Sequence, residues 1–240
     1  MLIKACLNGA REPGAHPALP LTPADLALAA KAAVAAGAGA IHMHPRDEAG
    51  RQSLEGTVIS AAVAVVRTAC PGIGVGVSTL FSMLPDPVSR AAIIATWSER
   101  PDFASVNFDE PGTPKLCAAL KALGIGIEAG LSSAEEAEHY IRSNVFGGCL
   151  RVLIEPVEVD TASALATTAA IVTILDQAGD TTPRLLHGMD ATAWPVLDSA
   201  IARGYDLRIG LEDCLMLPNG DLAPDNAALV AEAARRSQAY

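Results

Sequence analysis

Eight short apolar runs alternate with eight helix-like runs along this chain of 240 residues, and that alternation constrains its fold more than any other feature. The strand-like runs lie at 3–7, 40–44, 74–78, 103–107, 125–129, 150–155, 184–187 and 207–211. Each is four to six residues long and mostly apolar, as expected of strands covered on both faces. The helix-like runs lie at 22–36, 54–69, 87–99, 113–123, 134–143, 162–177, 193–203 and 226–237. Thr22-Pro23-Ala24-Asp25 reads as an N-cap, a first-turn proline and a first-turn acid, and Gly37, Gly124, Gly179 and Gly204 read as stops. Strict alternation with little left over predicts one α/β domain over residues 1–240, a (β/α)8 TIM barrel. An open doubly wound sheet is the other fold with this rhythm. It normally carries a G-x-G-x-x-G loop after its first strand, and Asn8-Gly9-Ala10-Arg11 is not one.

Composition narrows the partners. Half the residues are apolar, enough for a large core, while the formal charge is −10. No basic stripe is present, so nucleic acid is not an expected partner, and an anionic substrate must be met by local arginines. Five cysteines at 6, 70, 117, 149 and 214 form no C-x-x-C pair, which suits reduced thiols in a cytoplasmic protein. No apolar stretch reaches about 20 residues, and 1–6 is too short for a secretory segment, so no membrane association is expected. The alanine-rich helices leave room for a homo-oligomer.

Barrel enzymes build their sites at the C-terminal ends of the strands. In Ala40-Ile41-His42-Met43-His44-Pro45-Arg46-Asp47, alternation sends His42 and His44 to the same side of one strand end. A pair of neutral imidazoles suits a divalent metal. The other strand ends supply Asn8 and Arg11, Ser78 and Thr79, Ser105 and Asn107, Glu128, Glu155, His187, and Arg208 with Glu212 and Asp213. Uncompensated burial of so many polar groups is costly, so their convergence points to a site. Taken singly, Ser78, Thr79, Ser105 and Asn107 are substrate contacts or partners of nearby backbone. Glu155 is a site residue or a solvated loop residue. His187 is a further ligand or a residue hydrogen-bonded behind one.

In Leu207-Arg208-Ile209-Gly210-Leu211-Glu212-Asp213, alternation puts Arg208, Gly210 and Glu212 on one strand face with Asp213 just beyond. Glu212 then completes a two-histidine, one-carboxylate set with open positions, the pattern of catalytic metal sites. Asp213 beside it is either a general base with Arg208 as its charge partner or half of a strand-end salt bridge with Arg208.

Seven segments together resemble the β-keto acid cleavage enzymes, whose founding activity is 3-keto-5-aminohexanoate cleavage. They are Leu7-Asn8-Gly9-Ala10, His16 to Pro23, Ala36 to Asp47, Val77-Ser78-Thr79, Ala104 to Asn107, Ile127 to Gly130, and Arg208 to Asp213. The resemblance implies a TIM barrel and a zinc ion on His42, His44 and Glu212. It implies Asp213 as base with Arg208, Ser78 and Ser105 on the substrate carboxylate, and Glu128 setting side-chain preference. The reaction implied joins a β-keto acid to acetyl-CoA and yields acetoacetate and a new acyl-CoA, with no thiol, pyridoxal or nicotinamide group. Two departures stand out. Arg11 replaces a glutamate that supports the arginine–aspartate pair, and it is free to meet a substrate carboxylate instead; the chain is also shorter than typical members.

Two other classes of function fit the same residues. One is a metal-dependent lyase or hydrolase acting on a small carboxylate without CoA. The other is a metal- or metabolite-binding barrel without turnover, against which the acid and base groups beside the metal ligands speak.

Overall fold

The computed structural model describes residues 1–239 and shows a closed barrel of eight parallel strands in sequence order. The strands are β1 (Ile3–Cys6), β2 (Ala40–Met43), β3 (Gly74–Ser78), β4 (Phe103–Asn107), β5 (Gly126–Leu131), β6 (Arg151–Ile154), β7 (Arg184–Leu186) and β8 (Asp206–Ile209). The helices are α1 (Pro23–Ala35), α2 (Gly56–Ala69), α3 (Pro87–Ile93), α4 (Thr113–Ala122), α5 (Ala134–Ile141), α6 (Thr161–Gln177), α7 (Ala193–Arg203) and α8 (Asn226–Gln238). β1 closes the ring against β8, with Lys4 opposite Arg208 and Ala5 opposite Ile209. This is the expected (β/α)8 TIM barrel.

The strands alternate even though both their faces are buried. Ala5, Ile41, Met43, Val75, Val77, Ala104, Val106, Ile127, Ala129, Val152, Ile154, Leu207 and Ile209 join the apolar layer beneath the helices. The residues between them face the barrel interior, and there the polar side chains gather. Burying each larger apolar side chain contributes roughly 1.5–3 kcal/mol, so the outer layer stabilises the fold and leaves the interior free to hold chemistry. Gly76 is required by this interior: a Cβ there would meet the Phe103 ring at 1.9 Å.

Most boundaries fall within one or two residues of the sequence expectation, and three of the differences have a clear physical cause. The 87–99 run breaks after Ile93 into a 3-10 turn, because Thr96 bonds back to the Ile93 carbonyl (2.7 Å) and buried Trp97 turns to donate to the Leu54 carbonyl (3.0 Å). The fifth strand is shifted to Gly126–Leu131, since the Ile125 amide is spent capping α4 at Leu120. β8 stops at Ile209, and residues 210–213 form a turn in which the Asp213 and Cys214 amides both bond the Gly210 carbonyl. All five cysteines are free. Among the described residues no helix is long and apolar enough to cross a membrane.

Candidate metal centre and active site

His42 is the penultimate residue of β2, opposite Cys6 of β1 and Gly76 of β3, and His44 follows just past the strand. The Asn8 side chain fixes that exit. Its amide oxygen accepts from the His44 amide (2.9 Å), and its NH2 donates to the carbonyls of His44 and Pro20 (3.0 Å each). A side-chain amide thus stands in for the next rung of the ladder, which holds His44 in line with His42. The rings meet edge-on with centroids 5.3 Å apart.

Glu212 reaches them from the turn after β8, not from the strand face that simple alternation predicts. The chain bends at Gly210, where a Cβ would lie 2.0 Å from the Cys6 carbonyl oxygen, and the Glu212 amide then donates to that carbonyl at 3.2 Å. One Glu212 oxygen lies 3.4 Å from His44 Nε2 and the other 3.8 Å from His42 Nε2. Donor atoms sharing a tetrahedral ion through bonds of ~2.1 Å are about 3.4 Å apart. Ligand atoms from the three residues all lie within 4.8 Å of one another.

The donor chemistry fits a divalent cation. His44 Nδ1 bonds Gln52 Oε1 at 2.5 Å, which assigns its proton to Nδ1 and frees the Nε2 lone pair. Burial holds His42 well below the ordinary imidazole pKa, so it is neutral. Burial alone would raise the Glu212 carboxyl, but Arg208, His44 and His42 together outweigh that and keep it ionised. Glu212 Oε2 is buried with no hydrogen-bond partner among the described residues, an uncommon and costly state for a carboxylate oxygen.

Arg208 forks between two carboxylates. Its Nε donates to Asp213 Oδ1 (2.9 Å) and its Nη2 to Glu212 Oε1 (2.6 Å). Asp213 is fully buried; desolvation outweighs the pull of Arg208 and His187 and raises its carboxyl pKa. Its Oδ2 is unpartnered among the described residues. A carboxylate with one oxygen anchored, the other free, and a raised affinity for protons has the attributes of a general base. His187 stands behind it, with Nδ1 3.5 Å from Asp213 Oδ1 and Nε2 3.1 Å from Glu155 Oε2. Burial pushes His187 down to about 3, so the ring is neutral and has one N–H to share between two carboxyls.

A cavity of about 280 Å³ opens over the three metal-ligand residues, Arg208 and His187, while Asp213 is fully buried next to Arg208 and is not part of its lining. His42, His44, Ser78, Ser105, Asn107, Glu155, His187, Arg208 and Glu212 line it. Ser78 Oγ accepts from the Leu80 amide (3.2 Å), which leaves its hydroxyl proton to donate. Three expected substrate contacts are placed elsewhere. Thr79 is buried and spends its hydroxyl on the Ser105 carbonyl (2.6 Å), where it fixes the strand that carries Ser105. Glu128 lies deep inside the barrel, bonded to Lys4 Nζ at 2.6 Å with both side chains fully buried and Arg151 at 3.5 Å. It is not part of the cavity lining, and the Lys4 charge on the same interior face engages its carboxylate. Arg11 lies outside the cavity lining and turns to the Leu211 carbonyl (3.3 Å) and the Asp190 carboxylate. The sequence assigns no site role to Gln52, which orients His44, or to Gly9, which makes room for Glu212. Nothing about an isolated glutamine marks it, whereas Asn8-Gly9 after a strand was visible as a turn signal.

A parallel barrel with two imidazoles, a carboxylate, an arginine and a buried aspartate at its C-terminal mouth defines a (β/α)8 enzyme of the metal-dependent pattern. Comparison makes the class specific. A sequence model of the family "beta-keto acid cleavage enzyme" matches residues 1–146 and 116–240, which together take in the whole chain. The protein belongs to that family. Among solved structures, the apo structure of ObcA superposes with a TM-score of 0.73 at 15% identity, covering 91% of this chain and 61% of that one. A ternary complex of ObcA with a C4-CoA adduct and oxalate gives 0.73 at 16%, covering 91% and 63%. A type I 3-dehydroquinate dehydratase from Clostridium difficile gives 0.69 at 10%, covering 100% and 93%. At these identities the likeness is one of fold, and the chain spans about six-tenths of the length of the ObcA chains.

Proposed function

We propose that this enzyme condenses a small β-keto acid with acetyl-CoA and releases acetoacetate and a new acyl-CoA, with zinc on His42, His44 and Glu212. The observation that carries the reading is the convergence of those three donors beside Asp213 within a barrel of the β-keto acid cleavage family. Bound zinc would supply Lewis acidity toward a keto oxygen and the charge that builds there.

The protein's own residues do the rest. Ser78, Ser105 and Asn107 line the wall opposite Arg208 and would hold the substrate carboxylate by hydrogen bonds. Asp213 would take a proton from the carbon between the keto and carboxylate groups, using its unpartnered Oδ2. The carbanion attacks the acetyl thioester and expels CoA thiolate. The thiolate then attacks the original keto carbon, the carbon–carbon bond breaks, and Asp213 returns its proton to the acetoacetate carbanion. Arg208 stays ionised throughout, because Asp213 and Glu212 outweigh its desolvation and raise its pKa further, and it keeps Asp213 aimed. A cavity of about 280 Å³ suits a short keto acid and leaves the bulk of CoA outside. That ObcA has been solved with oxaloacetate and with a CoA adduct supports the same pairing of ligands.

Purified protein assayed on a panel of short β-keto acids, with and without acetyl-CoA, tests the proposal. Acetoacetate formation that requires acetyl-CoA and stoichiometric zinc is the expected result. Equal substrate loss without acetyl-CoA would assign a lyase or hydrolase instead, and binding without turnover would assign a non-catalytic barrel.

A further inference from the structure

We propose that Arg11 and Asp190 form a strap across the barrel mouth that positions the 211–213 turn, and with it the metal ligand Glu212 and the base Asp213. The inference rests on the metal-centre reading above. Once β8 ends at Ile209, residues 211–213 leave the strand ladder and are held by a few separate contacts. On the inner side the turn is fixed by the Leu211 amide on Asn226 Oδ1 (2.8 Å) and the Glu212 amide on the Cys6 carbonyl (3.2 Å). On the outer side the strap takes the Leu211 and Asp213 carbonyls of the turn. Arg11 Nε donates to Leu211 O at 3.3 Å, and the Asp190 amide donates to Asp213 O at 2.7 Å. The Arg11 guanidinium then pairs with the Asp190 carboxylate and closes the ring of contacts.

Two independent features show that the strap is built. The Arg11 backbone is pinned, since its carbonyl accepts from Arg46 Nη2 at 2.6 Å, and the same nitrogen donates to Gly9 O at 2.9 Å. This gives the arginine of the H-x-H-P-R-D segment its task. Asp190 has φ +45°, and no other non-glycine residue among those described has positive φ. Strained backbone at the rim of a site persists where a contact demands it, and here the amide must face Asp213. Both ends of Arg11 are committed to these partners, which leaves it as a positioning residue and not a contact for substrate carboxylate.

An exposed ion pair adds little to global stability, so the strap is expected to act on local geometry alone. Arg11→Met removes both of its side-chain bonds. Asp190→Gly removes the carboxylate, retains the amide and suits the positive φ. Zinc affinity, read by competition with a chromophoric chelator, is expected to fall about tenfold in each variant, the low end for residues that orient metal ligands. The melting temperature of the metal-free protein should not move. Asp190→Asn keeps an acceptor for Arg11 and should restore wild-type affinity. Wild-type affinity in Arg11→Met and Asp190→Gly would overturn the strap, as would an affinity loss matched by a lower metal-free melting temperature. A raised KM for the keto acid with zinc binding intact would also overturn it and return Arg11 to the substrate. A wild-type protein that binds no zinc sinks both readings, whereas tight wild-type binding with unchanged variants sinks the strap alone.

Discussion

Gly9 and Glu212 occupy space that only one of them can fill with a side chain. A Cβ at position 9 would lie 2.3 Å from Glu212 Cγ and 2.8 Å from its Cδ, and Gly9 itself sits at φ +53°. Gly9→Ala therefore acts twice. It strains the backbone by about 1–2 kcal/mol, and it drives the carboxylate away from His42 and His44. Zinc affinity should fall by at least about tenfold, while the barrel stays folded by circular dichroism. Unchanged affinity would mean that Glu212 is not the third ligand.

The interior pair Lys4–Glu128 leads to a prediction opposite to the role that the family resemblance gives Glu128. Both side chains are fully buried and 2.6 Å apart. A buried ion pair need not add net stability, but removing one partner leaves a stranded charge at a cost of about 3–5 kcal/mol. Glu128→Ala should lower the urea unfolding free energy by that order. The order of preference among keto acids should stay as it is. A stable variant with altered preference would place Glu128 back at the substrate.

Much of this architecture was legible in the sequence, for a physical reason. Strand and helix periods differ, so the alternation at 3–7, 22–36 and 40–44 announces βα units, and eight of them close a barrel. His42 and His44 were legible because a strand's period of two is rigid. Strand alternation points to Glu212 as a ligand, but β8 ends at Ile209 and the turn at Gly210 delivers the carboxylate instead. Turns of this kind depend on a contact with Cys6, some two hundred residues away, and no local pattern encodes it. Which way Glu128 and Thr79 face is hard to read for a related reason. A polar residue near a strand end faces either the mouth or the depth of the barrel, and the difference is one pair of residues along the strand. Asp190 acts through Arg11, 179 residues away, and Gln52 through a loop that folds back on His44, which no periodicity marks.

Acid should weaken the fold partly through His187. Its folded pKa is depressed to about 3 by burial and by Arg208, below the ordinary value near 6.5. The unfolded chain thus takes up a proton that the folded chain refuses. The stability tied to a neutral His187 is complete above pH ~6.5 and is lost progressively as pH falls from there toward 3, with a limiting slope of about 1.4 kcal/mol per pH unit. His187→Gln should flatten this limb. Urea midpoints measured from pH 7.5 down to 4.5 in both proteins give the comparison, and parallel curves would show that the ring is not held neutral.

Metal binding and proton transfer rest on adjacent residues, so they can be separated by substitution. His44→Ala removes one donor of three and the group that Gln52 orients. It should strip most of the zinc and with it the activity, and elemental analysis of the purified protein reads the first effect directly. Asp213→Asn is nearly isosteric and leaves Arg208 an oxygen to bond, so Glu212 stays in place and the zinc with it. An amide takes no proton at neutral pH, however, and turnover should drop by about 10²–10⁴-fold, the range that positioned acid–base groups supply. Exchange of the keto acid's central hydrogens with deuterated water should fall in parallel, because that step precedes acetyl-CoA. If Asp213→Asn kept its zinc and still exchanged at the wild-type rate, the base would be a group that lines the cavity, and Glu155 would be the next to substitute.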